Sequence, residues 1–282
     1  MSLGVLNNIS AIYAQNNLNQ TQASLQNTLT QLSSGSRINS GADDAAGLAL
    51  ADGLHANVAA LTQSAQNASA GVGMLQTADG ALAQVTNLLN RAITLATEAA
   101  NGTLNTSQVG SADQEYQNIL TEIGNIGSTT NYNGNAVFSA TPVSVFVSDG
   151  TSTGASTFSE TIGALTKASV GTTAAGAGAD LTASATLNAT TAAGILTTLT
   201  SAVQDVAYQR GTVGANINQL SAAANVANTQ SVNLSSAENN IRATNYGQAT
   251  SDMAKYKILS ETGIAALSQA NAVQQDVLKL LQ

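Results

Sequence analysis

Cysteine and tryptophan are absent from this 282-residue chain, histidine and proline occur once each, and aromatic residues make up only 3% of it. Without cysteine there is no disulfide and no thiolate chemistry, and a lone His55 leaves no histidine-based metal cluster. Charge is scarce too, at 9% of residues. Acids outnumber bases 16 to 8, and a net charge of −8 argues against sequence-independent binding of nucleic acid or of an anionic membrane surface. No apolar run reaches the roughly 18 residues of a membrane span, so no membrane insertion is expected. The opening MSLGVLNNISAIYAQNN lacks the basic and apolar regions of a Sec signal, so export, if it occurs, is expected to use another route.

What is present is alanine and heptad order. Hydrophobic residues reach 43%, but so few are large that close helix packing through small side chains fits better than an ordinary globule. Proline breaks helices, and the single one, Pro142, lies near the middle, so very long helices are permitted on either side. The series Leu54, Val58, Leu61, Ala65, Ala68, Val72, Leu75 steps by four and three. After one extra three-residue step it continues as Ala78, Leu82, Val85, Leu89, Ala92, a heptad stripe with one stammer. A second stripe runs Ile195, Leu199, Ala202, Val206, Gln209, Val213, Asn216, Leu220, Ala223, Ala227. The C-terminal stripe is Tyr256, Leu259, Gly263, Ala266, Ala270, Val273, Val277, Leu280. The N-terminal one is looser, with Leu6, Ile9 and Tyr13, then Leu18, Leu25, Leu29 and Leu32. Both ends of the chain therefore read as coiled-coil partners.

The middle differs in kind. Asn133-Gly134 is a turn signal, and VSVFVSDGTSTGASTF reads as a β-hairpin. Residues 168–193 are small and of low complexity, and read as a surface loop with at most one short strand. The fold class expected is mostly α, with long antiparallel helices in coiled-coil-like bundles and a small β-hairpin insertion.

No catalytic constellation emerges, and no catalytic, cofactor or metal site is assigned. His55 belongs to a long helix rather than to a Ser-His-Asp set. Gly71-Val72-Gly73 lies inside a helix and lacks dinucleotide-binding spacing, so it reads as a site of close helix approach. Asp43-Asp44 has no second acidic cluster nearby. It is read as a helix cap, with Ser40 or Asp43 accepting orphan N–H groups and Asp44 favoured by the helix dipole. Arg37 is the one Lys or Arg in the first 90 residues and is read as an interchain or interdomain ion-pairing tether with bidentate geometry.

The stretch LSSGSRINSGADDAAGLAL (Leu32 to Leu50) closely resembles the N-terminal signature of bacterial flagellins. The resemblance extends through LNRAITLATEAANGT, STTNYNGNAVF and the C-terminal KYKILSETGIAALSQANAVQQDVLKLL, covering about the first 138 and the last 85 residues. It implies a filament subunit with terminal helices paired in an inner coiled-coil domain (1–42 and 240–282). A middle helical domain (43–239) would carry the hairpin and a short variable insert at about 138–193, without large outer domains. It implies polymerisation of the chain with itself into an extracellular flagellar filament for motility. It further implies secretion through the flagellar export apparatus, and contacts with a flagellin chaperone and with filament cap and junction proteins. The alternatives are a hook–filament junction protein, and, in a different class, a surface adhesin or carbohydrate-binding protein.

Residue by residue, the resemblance makes Gly35, Arg37, Gly41, Asp43 and Asp44 the connector between inner and middle domains, with freedom at the two glycines. Arg91, Leu95 and Glu115 align with a helix surface that some flagellins present to the host Toll-like receptor for flagellin and that also makes subunit contacts. Here Ala92, Ile93 and Thr94 replace a more charged segment of that surface. The seam residues implied at the chain ends are Leu25, Leu29, Leu32, Leu259, Val273, Val277 and Leu280.

Overall fold

The computed structural model describes residues 8–150, 157–171, 178–182 and 186–280, with the side chains of 276–280 left out. Five helices and four short strands follow in the order α1 (Ile9–Ser34), α2 (Ala45–Ala100), α3 (Thr106–Thr129), β1 (Asn131–Tyr132), β2 (Asn135–Ala136), β3 (Val143–Phe146), β4 (Thr157–Glu160), α4 (Ala192–Arg242) and α5 (Tyr246–Leu280). The chain divides into two compact units, Met1–Ala56 with Asn233–Gln282, and Asn57–Val232.

In the first unit α1 and α5 pair antiparallel. The Asn8 side chain donates to the Ala270 carbonyl, 2.9 Å away, while Thr244, just before α5, reaches the Gln31 carbonyl near the end of α1. The least exposed track of α1 is Ala11, Ala14, Leu18, Thr21, Leu25, Thr28 and Leu32; that of α5 is Met253, Tyr256, Ser260, Gly263, Leu267, Ala270 and Gln274. Both step by threes and fours, the signature of an interlocking seam. Its small residues let the backbones approach: a Cβ on Gly263 would lie 3.3 Å from the Leu18 side chain.

The second unit is a helix bundle with two hairpins. Ala78, Leu82, Val85, Leu89 and Ala92 of α2 and Leu199, Ala202 and Val206 of α4 are fully buried, and α3 adds Tyr116 and Ile123. Asn105 and Gln108 cap the start of α3 reciprocally, satisfying two otherwise orphan N–H groups. Asn133 and Gly134 turn β1 into β2 with φ of 51° and 79°, the left-handed pair that a two-residue hairpin loop demands. The hairpin read from VSVFVSDG is β3–β4, with Val145 opposite Phe158. Gly127 is required by packing, since a Cβ there would come 1.8 Å from the Leu165 carbonyl oxygen.

The segment read as a surface loop is anchored instead. Val170 and Leu181 are fully buried and Leu187 nearly so, with a bridge between Val170 and Ala179. Isolated apolar residues among small polar ones carry no period, so the pattern that reveals helices is silent about such anchors.

Candidate assembly site

The connector after α1 is built as a joint with the connector before α5. Gly35 ends α1 at φ 71°, donating to the Gln31 carbonyl, and a Cβ on it would meet the Tyr246 hydroxyl at 2.8 Å. The chain then pairs with residues 242–244: Arg37 N–H donates to the Arg242 carbonyl (2.7 Å), and Thr244 N–H donates to the Gly35 carbonyl (3.0 Å). Ser36 and Ala243 form an antiparallel bridge between these bonds. Ile38, 2% exposed, is the apolar plug of the joint. On the other side of the joint Asn245 caps α5, its side chain accepting from Gln248 N–H.

Two expectations for this connector are corrected. Arg37, read as an interchain or interdomain tether, donates within its own chain to the Ile241 carbonyl at 3.1 Å and lies 3.9 Å from Asp44. The end of α4 exposes carbonyls that attract a cation, which explains the preference. The cap of α2 is Asp44, whose side chain accepts from Gly47 N–H at 2.8 Å. Asp43 instead closes the preceding turn, accepting from the N–H groups of Asn39 and Ser40 and from the Ser40 hydroxyl. Those donors, the Asn39 N–H first, hold the Asp43 carboxyl below its usual range. Gly41 has no left-handed backbone, and a Cβ there would make only ordinary contact with Leu48. The second glycine with a packing role is Gly47, where a Cβ would fall against the Asp44 carboxylate and 2.9 Å from Ile38 Cδ1. Next to the joint, Arg242 pairs with Asp52 and Glu238, each at 3.4 Å, and His55 Nδ1 lies 3.3 Å from Glu238.

Of the terminal seam residues, Leu25 and Leu32 face α5. Leu29, Leu259 and Val273 do not face the partner helix and are 46%, 44% and 48% exposed. The correction is one of phase, because Ser260, Leu267 and Gln274 occupy the paired track one position later. Val277 and Leu280 fall where side chains lie outside the described part of the structure. Ile9, Ile12 and Tyr13 of α1 and Ile258 and Ile264 of α5 join the outward set, so the pair carries large apolar side chains that this chain leaves uncovered.

Arg91 and Glu115 pair bidentately across α2 and α3, at 2.6 and 3.0 Å. The bond raises the Arg91 pKa and lowers that of Glu115. Leu95 does not share their surface: it is 2% exposed because it continues the buried track from Val85, Leu89 and Ala92.

Residues 5–142 match the model of the bacterial flagellin N-terminal helical region, and residues 196–281 match that of the C-terminal helical region. The chain belongs to the bacterial flagellins. The flagellin of Listeria monocytogenes is 29% identical, with 97% of this chain and 98% of that protein aligned. Flagellin 1 of Proteus mirabilis is 41% identical over 51% of this chain and 40% of its own length. The Salmonella enteritidis flagellin is 42% identical over 47% of this chain and 26% of its own. The chain thus spans less than half the length of these last two relatives. The crystal structure of Bacillus cereus flagellin aligns with 57% of this chain and 88% of its own, at 29% identity and a TM-score of 0.46. Flagellins are structural proteins, not enzymes.

Proposed function

We propose that the chain is the repeating subunit of a flagellar filament and that the outward apolar side chains of α1 and α5 are its assembly surface. The observation that carries this is the uncovered set Ile9, Ile12, Tyr13, Leu29, Ile258, Leu259, Ile264 and Val273. Burying one such side chain is worth roughly 1.5–3 kcal/mol when complete, so a few per subunit outweigh the cost of ordering. A head-to-tail contact that does not close on itself propagates as a filament. The division into an inner domain (1–42 and 240–282) and a middle domain (43–239) is part of this reading; the cross-tied connectors at 35–44 and 243–245 support it.

Secretion through the flagellar export apparatus, chaperone binding, and docking to cap and junction proteins follow from the same membership. A Toll-like receptor surface would here rest on Arg91 and Glu115 alone, since Leu95 is core. The test is seeded polymerisation of purified chain followed by electron microscopy and pelleting. Parent protein forms filaments, and a Leu29→Asp, Val273→Asp variant that keeps its helicity stays in the supernatant. A variant that polymerises like the parent overturns the assignment of the surface; a parent that never polymerises overturns the filament reading.

A further inference from the structure

The sequence contains two Asn-Gly pairs, Asn101-Gly102 and Asn133-Gly134, and the fold gives them opposite surroundings. Glycine has no Cβ to shield its backbone nitrogen, so that nitrogen can approach the side-chain amide of an asparagine just before it. Ring closure between the two then depends on how the backbone holds them.

Asn133-Gly134 is held out of reach. The two residues form the loop of the β1–β2 hairpin, in which Tyr132 pairs with Asn135 and Asn131 with Ala136. Asn133 has φ 51°, and in this left-handed conformation the next nitrogen lies anti to Cβ about the Cα–C bond, the arrangement farthest from ring closure. The hairpin is also fastened below its loop. Val137 N–H donates to the Thr130 carbonyl at 3.1 Å, Val137 and Phe138 are buried, and the Tyr132 hydroxyl lies over Gly73. Leaving the protected conformation means opening this hairpin.

Asn101-Gly102 has no such hold. The pair follows directly on Ala100, the last residue of α2, and both residues are exposed. Asn101 is not left-handed, and its N–H donates to the Glu98 carbonyl at 3.2 Å. Among the described residues nothing accepts from the Gly102 N–H and nothing bonds to the Asn101 side chain. The side of Gly102 where a Cβ would stand is open space. No described hydrogen bond has to break for Asn101 to turn about its Cα–C bond, and residues 102–104 lie free of helix to take up the change before α3 begins.

We propose that Asn101 is a self-modification site, where the folded chain deamidates and isomerises while Asn133 stays intact. The Gly102 nitrogen bonds to Asn101 Cγ, and the Cγ–Nδ2 bond breaks. The proton lost by the Gly102 N–H passes through solvent to Nδ2, which leaves as ammonia, and a five-membered succinimide remains. Water then opens the ring. Cleavage of the nitrogen's bond to Cγ gives aspartate, and cleavage of its bond to the main-chain carbonyl carbon gives isoaspartate, with the chain rerouted through Cγ. Water is consumed, ammonia is released, and nothing is oxidised or reduced. Either product places a carboxylate beside Glu98 and the open carbonyls at the end of α2, where the helix dipole disfavours it. Isoaspartate also lengthens the α2–α3 connection by a methylene. The inference concerns the chain by itself and does not rest on the filament reading.

The test incubates full-length chain at neutral pH in water enriched in heavy oxygen, either folded or unfolded in urea, and follows the two Asn-Gly peptides by mass spectrometry. In urea both pairs take up label at similar rates. In the folded chain Asn101 takes up label and its peptide separates into aspartyl and isoaspartyl forms. Asn133 reacts at least about tenfold more slowly, the factor imposed by the hydrogen bonds that an opened hairpin gives up. Asn101→Gln removes the label from that peptide and leaves Asn133 as it was. Equal labelling of Asn101 and Asn133 in the folded chain overturns the proposal. So does a folded chain in which neither is labelled although both are in urea, because the end of α2 would then protect its asparagine as well as the hairpin does.

Discussion

Asp43 and Asp44 are neighbours with separable tasks, and the difference can be measured. Asp44 caps α2, so Asp44→Ala should cost about 1 kcal/mol in urea unfolding, while Asp44→Asn, which keeps an accepting oxygen, should cost a few tenths at most. Equal losses would mean that the 3.9 Å approach to Arg37 matters more than the cap. Asp43 has a folded pKa below its unfolded value, so its contribution is complete above the usual aspartate value. It is lost as pH falls through the depressed folded value. Amide exchange at Asn39 and Ser40 should therefore accelerate on acidification below the ordinary aspartate range, and Asp43→Asn should remove that dependence. Gly47→Ala, whose methyl would fall on the Asp44 carboxylate and within 2.9 Å of Ile38 Cδ1, should weaken the joint although alanine favours helices elsewhere. None of this could be assigned from the string of letters alone. Two adjacent aspartates before a helix are both plausible caps, and which one bends back is decided by the turn at residues 39–43.

At the scale of elements, legibility followed side-chain size. Along α4 the predicted track is buried from Ile195 to Ala227 with only Ala223 merely half-buried, while Tyr208, Val226 and Val232 lie off it and are exposed. Helix α5 carries two apolar stripes side by side, Leu259 and Val273 on one and Leu267 on the other. Hydrophobicity ranks the first stripe as the seam, whereas the pair uses the track containing Gly263 and Ser260, which allow the closer approach. The anchors Val170, Leu181 and Leu187 are opaque for the opposite reason, since single buried residues carry no period. The two stripes have different jobs, and one pair of substitutions separates them. Leu25→Ala, on the paired face, should cost roughly 1–2 kcal/mol of α1–α5 pairing and lower the melting point of the isolated chain. Leu29→Ala, four residues later and on the open face, should leave that melting point unchanged and raise the critical concentration for polymerisation. If both variants melt early and polymerise normally, the open stripe has no part in assembly.

For the whole molecule the sparse charge has a consequence for how the polymer holds together. The described ion pairs, Arg91–Glu115, Arg210–Asp79 and those of Arg242, are exposed or half-exposed and are made within the chain, as is the Arg37 contact. Helix α1 contains no charged residue from Ile9 to Ser34, so its open face has only apolar and uncharged polar groups to offer a neighbour. Contacts of that kind are not weakened by counterions. Screening acts on charges separated by more than about 10 Å in 0.1 M salt, and exposed ion pairs contribute at most about 1 kcal/mol each. A net charge of −8 on every subunit even makes salt mildly favourable, because it relieves repulsion between copies. The critical concentration for polymerisation, read by sedimentation, should therefore stay level or fall slightly between 20 mM and 500 mM NaCl, amounts on the order of a tenth to a few times physiological ionic strength. Dissociation as salt rises would mean that ion pairs between subunits carry the filament. The first candidates would then be Lys255 and Lys257, basic residues on α5 that make no described ion pair.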